Sequence, residues 1–411
     1  MSDNNTEKSK EDLNDLKEGE EPKEGEEQEP LKELQSWDDP SVDLKIKLLR
    51  GIYAFGFEQP SIIQKKAIIP FLEGKDLIAQ AQSGTGKTGA FAISSLQLVN
   101  DKLNKTQCLI LAPTRPLAKQ ICNVLTQIAQ LLKTRIQLLI GGTKTENDIE
   151  KLINNVPHIV VGCPGRIHDM IRRKHLKTKG INLLVIDEAD EMFSSGFKEQ
   201  VYKIFQYMNN DIQICLFSAT FPSELHHLAN KFMRDPLKIL VERNQLTLKG
   251  IAQFYIGLKD DEQKYMTLKD LFSGLAITQV IIYCNSINRV ENLYDAMKRD
   301  EFPVERMHGS MDEEERTRVY NQFKSGGCRV LLSTDLLARG IDIQQVSIVI
   351  NFDLPKSIHT YLHRIGRSGR WGRKGVGINF ITKRDVQKLE EIKRFYSTDV
   401  NEMPSDYSTF L

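Results

Sequence analysis

The feature that most limits what this chain can become is an alternation that occurs twice. Short apolar runs at 76–81, 108–112, 136–140, 158–161, 183–186 and 213–217 are each followed by a helix-compatible stretch, such as 89–99 and 117–132. A briefer series repeats the pattern at 280–284, 304–307, 329–333, 347–351 and 377–381. Runs this short and continuous read as strands buried on both faces, and strands alternating with helices imply a parallel sheet covered on both sides. Two such series predict two α/β units in tandem. The polar stretch 242–250, ending in glycine, separates them and marks the hinge. The expected organisation is a tail over 1–35, a first unit over 36–241, a linker over 242–252 and a second unit over 253–411.

Length agrees, since 411 residues exceed the ~100–200 of one ordinary domain. Hydrophobic content of 40% supplies two cores. No run approaches the ~18 apolar residues of a membrane span, and the start does not resemble a secretory signal. Cys108, Cys122, Cys163, Cys215, Cys284 and Cys328 lie far apart with no CxxC pair. That spacing argues against a zinc site or a disulfide framework and suits a reducing compartment. The net charge of +1 hides an asymmetry. Residues 1–35 carry 13 acidic and 5 basic side chains, eight units negative, which leaves the rest of the chain nine units positive. A self-repelling, Glu/Lys-rich segment without aromatic residues reads as a disordered tail, and the basic body behind it permits a nucleic-acid partner.

The most specific local signal is Ala81-Gln82-Ser83-Gly84-Thr85-Gly86-Lys87-Thr88, between a predicted strand and a predicted helix. Gly84 and Gly86 let backbone amides converge on phosphate oxygens, and the helix presents its positive end to the same anion. Lys87 would neutralise the β/γ charge, and the Thr88 hydroxyl would reach Mg²⁺. This loop alone says only that a nucleotide binds. The apolar run 183–186 then ends in Asp187-Glu188-Ala189-Asp190. Carboxylates at the C-terminal tip of such a strand lie at the crevice where ligands bind. One carboxylate could hold Mg²⁺ through water and the next orient an attacking water, although two acids after an apolar run also describe a solvated loop.

These residues resemble the signature of the DEAD-box RNA helicases of superfamily 2, and the likeness runs from about residue 37 to the end. It rests on ordered matches: Gly56-Phe57 with Pro60 and Gln64, the phosphate loop, Pro113-Thr114-Arg115, Gly141-Gly142, Pro164-Gly165-Arg166, the acidic tetrad and Ser218-Ala219-Thr220. The second half adds Ser333-Thr334-Asp335, Ala338-Arg339-Gly340-Ile341-Asp342 and His363-Arg364-Ile365-Gly366-Arg367-Ser368-Gly369-Arg370. Within the family, 49–64, 79–88 and 336–342 are most similar to the initiation factor 4A group and its exon-junction relative.

The resemblance implies an α/β protein of two tandem RecA-like parallel-sheet domains joined by a short hinge, with ATP and Mg²⁺ as cofactors. It assigns Asp187 to Mg²⁺, Glu188 to the attacking water, Asp190 to coupling with Ser218 and Thr220, and Asp342 to the ribose. Gln64 suits adenine, because one amide can bond N6 and N7 together. Phe57 or Trp37 either packs on the base or belongs to the core. Arg367 and Arg370 become arginine fingers and Arg364 a link between the lobes, with a surface nucleic-acid patch as the alternative for this run. The RNA groove comprises Pro113, Thr114, Arg115, Gly141, Gly142, Pro164, Gly165 and Arg166, faced by Gly309, Thr334 and Asp335. Such residues grip phosphates and read no base edge, so single-stranded or weakly paired RNA is bound without sequence preference.

Several positions depart from the family's pattern. Pro116 replaces a glutamate, Cys163 a threonine, Glu313 a glutamine and Tyr283 a phenylalanine, and Trp37 lies two residues farther from Gly56. The expected function is an RNA-dependent ATPase that separates short duplexes in translation initiation or mRNA metabolism. An ATP-gated clamp on RNA is the non-enzyme alternative, while a kinase shares only the phosphate loop. The resemblance further implies a scaffold partner resembling initiation factor 4G, a monomer outside complexes, and a cytoplasmic protein with a nuclear location open.

Overall fold

The computed structural model describes residues 32–81, 84–193, 196–240, 251–274, 279–335, 346–368 and 375–404. The acidic tail up to residue 31, the hinge over 241–250, Gln82, Ser83, Asp342 and Arg370 lie outside the described residues. From Glu33 the chain forms one body containing two sheets.

The first half opens with α1 (Ile46–Ala54), α2 (Ile62–Leu72), β1 (Leu77–Gln80), α3 (Lys87–Leu98) and β2 (Cys108–Leu111). It continues with α4 (Arg115–Ile128), β3 (Ile136–Leu139), α5 (Thr145–Asn154), β4 (Ile159–Gly162) and α6 (Pro164–Arg172). It closes with β5 (Leu183–Asp187), α7 (Ala189–Met192), α8 (Lys198–Phe205), β6 (Gln213–Ser218), α9 (Ser223–Phe232) and β7 (Leu237–Leu240). The second half runs β8 (Ile251–Gly257), α10 (Asp261–Gly274), β9 (Val280–Tyr283), α11 (Ile287–Arg299) and β10 (Val304–Met307). After these come α12 (Glu313–Lys324), β11 (Val330–Ser333), β12 (Ile348–Asn351), α13 (Ile358–Ile365), β13 (Gly375–Ile381), α14 (Val386–Tyr396) and β14 (Asn401–Glu402).

Each half builds a seven-stranded sheet, ordered β3-β4-β2-β5-β6-β1-β7 and β10-β11-β9-β12-β13-β8-β14. The pairings are parallel, in register from Leu77↔Cys215 to Gln80↔Ser218 between β1 and β6, for example. The two tandem RecA-like sheets expected from the sequence are therefore present. Side chains alternate between two cores, with Cys108 and Ile110 on one face of β2 and Leu109 and Leu111 on the other. In β9, Ile281 and Tyr283 face one core and Val280 and Ile282 the second. Each fully buried Leu or Ile contributes about 1.5–3 kcal/mol, and the buried polar exceptions are bonded, as Asn351 is to Asn379 at 2.8 Å. No helix among the described residues is long and apolar enough to cross a membrane.

The strands not anticipated are β7, β8 and β14, at or beside sheet edges. β8 mixes buried and exposed positions along its length, so it lacks the continuous apolar run that marks a central strand. Ile251 and Ala252, placed in the linker by sequence, open this strand. Leu34, placed in the tail, is fully buried, and its amide donates to Lys65 O at 2.9 Å. One apolar side chain next to Trp37 is enough to draw the backbone down against α2, whatever the charge around it.

α1 is pinned against α4 by a close approach. A Cβ on Gly51 would stand 2.0 Å from the carbonyl oxygen of Ile128 at the end of α4. Glycine inside a helix costs about 0.5–1 kcal/mol relative to alanine, so its place here follows from the contact. Gly51→Ala is expected to destabilise the first lobe by about 1–3 kcal/mol, the usual cost of overpacking, read as a lower unfolding midpoint. An unchanged midpoint would show that α1 shifts freely.

Candidate nucleotide and RNA site

Because the strands are parallel, their C-terminal tips open on one edge, and the sheet order sorts them. Adjacent β1, β6 and β5 end in the phosphate loop, Ser218-Ala219-Thr220 and Asp187-Glu188. Adjacent β2, β4 and β3 end in Pro113-Thr114-Arg115, Cys163-Pro164-Gly165-Arg166 and Gly141-Gly142. In the chain these six segments are interleaved, and in the sheet they form two groups that meet where β5 pairs with β2.

In the first group, Gly84 and Gly86 have φ of +85° and +101°, the left-handed region that favours glycine. A Cβ on Gly86 would also come within 2.7 Å of Ser61 Oγ and 2.8 Å of Gln64 Nε2. Lys87 is buried and donates from Nζ to Ala81 O at 2.7 Å, which holds the ammonium inside the loop. The amide of Gln64 accepts from Ser61 N at 2.7 Å and donates to Gly86 O at 3.1 Å, joining the start of α2 to the phosphate loop. Phe57 lies over α3, with Trp37 stacked beyond it at 6.3 Å. Trp37 is 1% exposed and belongs to the core, so only Phe57 keeps an accessible face.

The acidic tip is electrostatically tense. Burial, then the neighbouring Glu188, pushes the Asp187 carboxyl up to about 7, with Lys87 opposing. Glu188 has φ of +48°, costly for a residue with a side chain, and its Oε2 is buried with no hydrogen-bond partner among the described residues. Two crowded hard-oxygen carboxyls, with Thr88 at the start of α3, form a donor set that fits a small divalent cation.

Asp190 is the hub. Its Oδ1 accepts from Ser218 Oγ at 2.8 Å and its Oδ2 from Thr220 Oγ1 at 2.7 Å. His363 Nε2, from α13 of the second half, lies 2.9 Å from the same Oδ2, and both side chains are buried. Arg367 follows one helical turn later, its Nε donating to His363 O at 3.2 Å. The expected link between the lobes, Arg364, turns inward instead. It is fully buried and bonds Asp335 at 2.5 Å, Asn285 at 2.8 Å, Asp353 O at 2.7 Å and Asn351 at 3.2 Å, all in the second half. Its guanidinium also lies over the ring of Tyr283, 5.2 Å from the centroid. Among the described residues a contact across the lobes is made by His363, a role that sequence reading left unassigned. Nothing local marks it, because its partner lies 173 positions away.

On the second group, Thr114 caps α4 by accepting from Leu117 N at 3.4 Å. Pro116 sits in the first turn of that helix, where its missing amide has no intrahelical partner to lose. Cys163 precedes α6 without a side-chain capping bond. Arg115 lies against the Gly141–Gly142 loop, where a Cβ on Gly142 would be 2.7 Å from its guanidinium. Arg166 is paired with Asp148 and bonded to Thr143. On the other sheet, adjacent β10 and β11 lead into Gly309 and into Thr334 and Asp335. Gly309 is exposed with open space around it, while Asp335 is committed to Arg364.

Comparison with known proteins agrees with this geometry. Residues 61–228 match the DEAD/DEAH box helicase family and residues 263–372 the helicase conserved C-terminal domain. The chain is 51% identical over 370 residues to an ATP-dependent RNA helicase eIF4A of Pyricularia oryzae, covering 90% of this chain and 93% of that one. It is 50% identical over 378 residues to eukaryotic initiation factor 4A of Caenorhabditis elegans, covering 92% and 93%. Among solved structures, S. cerevisiae Dbp5 bound to RNA and ADP BeF3 superposes with a TM-score of 0.84 at 35% identity, over 91% of this chain and 96% of that one. Mss116p bound to ssRNA and AMP-PNP gives 0.81 at 27%, over 92% and 82%. The chain belongs to the DEAD-box family of ATP-dependent RNA helicases. It resembles the initiation factor 4A members along nearly its whole length.

The raised Asp187 carboxyl has a measurable consequence. An unfolded Asp ionises near the ordinary value of 3.8 and the folded one near 7, so between these values the folded state holds the extra proton. Its contribution to stability is full below about 3.8 and lost as pH rises through about 7. Asp187→Asn is therefore expected to raise the unfolding midpoint of nucleotide-free, metal-free protein at pH 8, and by only about a third as much in free energy at pH 5. An equal gain at both pH values would refute the assignment.

Proposed function

We propose that this helicase couples ATP hydrolysis to RNA through the shared sheet edge and the His363–Asp190 contact, opening short duplexes in translation initiation or mRNA metabolism. The observation that carries this reading is that contact. A residue of the second lobe touches the carboxylate that also holds Ser218 and Thr220, beside the catalytic acids. RNA bound across both lobes would favour the arrangement in which these groups meet, so turnover would follow RNA binding.

In this reading Ala81, Gln82, Ser83, Gly84, Thr85 and Gly86 cradle the phosphates and Lys87 neutralises their charge. Gln64 reads the adenine, Phe57 packs on it and Asp342 holds the ribose. Thr88 and Asp187 hold Mg²⁺, through water at Asp187; when bound, this cation offsets charge on the phosphates. Glu188 orients the attacking water and receives its proton. Arg367 and Arg370 meet the γ-phosphate from the second lobe, a role worth ~10³–10⁵ in rate where an arginine finger has been measured. The RNA lies along the β2, β4 and β3 loops of the first lobe and past Gly309 and Thr334 of the second. Likeness to initiation factor 4A further supports a scaffold partner resembling initiation factor 4G and a cytoplasmic place of action. The two lobes would span 36–241 and 253–411, hinged between them.

Steady-state ATP hydrolysis with and without single-stranded RNA tests this, with Glu188→Gln as the blank. Stimulation by RNA is expected in the wild type, and the variant should lose turnover by about 10²–10⁴ while still binding ATP and RNA. Unchanged turnover would remove Glu188 from its role. RNA retention without stimulated hydrolysis would leave a clamp rather than a motor. His363→Ala should lower RNA-stimulated turnover more than turnover without RNA, and equal losses would argue against coupling through Asp190.

A further inference from the structure

Arg166 carries a formal positive charge in a loop proposed to hold RNA, yet its geometry does not suit a phosphate ligand. Its side chain is 11% exposed and that of its partner Asp148 9%. One guanidinium nitrogen bonds the Asp148 carboxylate and, at 3.2 Å, Thr143 Oγ1. The other donates to Thr143 O at 3.0 Å. Thr143 Oγ1 in turn donates to Ile140 O at 3.0 Å and lies 3.2 Å from Asp148 Oδ2. Asp148 is fastened from below, since Gln137 Nε2 donates to its backbone carbonyl at 3.0 Å. Four elements meet here: β3, the Gly141–Gly142 loop, α5 and the start of α6.

Two physical consequences follow. Moving Arg166 out to a phosphate would leave Asp148 as a buried, uncompensated carboxylate, the costly way to break such a pair. A guanidinium already neutralised by a carboxylate also offers a phosphate little net attraction. The loop held by the pair does touch a second arginine. Arg115 rests on Gly141 and Gly142, with its guanidinium nitrogens 3.1 and 2.7 Å from where a Cβ would stand on each. Gly142 is in the left-handed region at φ +84°. The position of Arg115 therefore depends on the loop conformation that Thr143 anchors.

We propose that Asp148 and Arg166 form an internal clasp that shapes the Gly141–Gly142 loop, so that Arg166 is a positioning residue and Arg115 the cation that meets the RNA phosphate. This rests on the RNA role proposed above for these loops. It adds Asp148, to which no role in RNA binding was assigned, and moves Arg166 from direct to indirect action.

Salt dependence separates the two roles, because each phosphate contact to a single strand contributes about 0.7 to the slope of log affinity against log salt. Binding of a fluorescent single-stranded oligouridine would be measured with AMP-PNP over a range of salt concentrations. Asp148→Asn and Arg166→Gln should each weaken binding by about tenfold at fixed salt, the order expected for losing a charge-assisted bond, while keeping the wild-type slope. Their combination should be no weaker than the weaker single variant. Arg166→Lys, which keeps the charge but cannot reach Asp148 and Thr143 with a planar fork, should not restore affinity. Arg115→Gln should make the slope shallower by about 0.7.

A shallower slope in Arg166→Gln, near-wild-type binding by Arg166→Lys, or unchanged or tighter binding by Asp148→Asn would overturn the clasp alone. A parallel loss of nucleotide affinity without RNA would mean that the pair only holds the lobe together, and would overturn it too. Wild-type protein that fails to bind the oligouridine would overturn the RNA reading, and the clasp with it.

Discussion

Everything functional in this molecule depends on the parallel pairing of its strands. A parallel sheet points all its C-terminal tips the same way, so residues at strand ends share one edge however far apart they lie in the chain. The strand order then decides which tips are neighbours. Placing β1 beside β6, and β6 beside β5, gathers the phosphate loop, Ser218 and Thr220, and the acidic tetrad. Placing β2, β4 and β3 together gathers the glycine, proline and arginine loops on the adjoining stretch of the same edge. The two groups of loops adjoin because β5 pairs with β2.

On that edge, charge is handled by enclosure. Lys87, Asp187, Glu188, Asp190, His363, Arg364 and Arg367 are all largely buried, and each charge there is costly unless matched. Arg364 is matched completely, by Asp335, two asparagines, a backbone carbonyl and the face of Tyr283. That satisfaction makes it a strut for α13, the helix that carries His363 and ends just before Arg367. Asp187 and Glu188 are matched least, with one carboxyl pushed up and the other holding an orphaned oxygen. The contrast divides this edge: Arg364 fixes the scaffold, while Asp187 and Glu188 keep unmet bonding capacity among the described residues.

The loops after β2, β4 and β3 show a comparable difference in burial among their arginines. Asp148 and Arg166 resemble Arg364 and its partners, a buried pair that fixes backbone, whereas Arg115 lies along a loop of glycines at the surface. Arginines that look equivalent in the text differ in burial and in the company they keep.

The sequence by itself determined whatever depends on a residue's immediate neighbours. The phosphate loop was legible because its glycines and lysine act within eight positions, and the central strands because burial on both faces makes their short runs largely apolar. β7, β8 and β14 were not; in β8 the apolar residues are interrupted by Gln253 and only partly buried. Leu34 was lost in the charge of its surroundings. The tertiary structure alone decided the pairings: His363 with Asp190, Arg364 with Asp335 and Asn285, Arg166 with Asp148. Each joins groups brought close by strand order and helix packing, and a hydrogen bond or ion pair between distant positions leaves no periodicity or spacing for a single sequence to reveal.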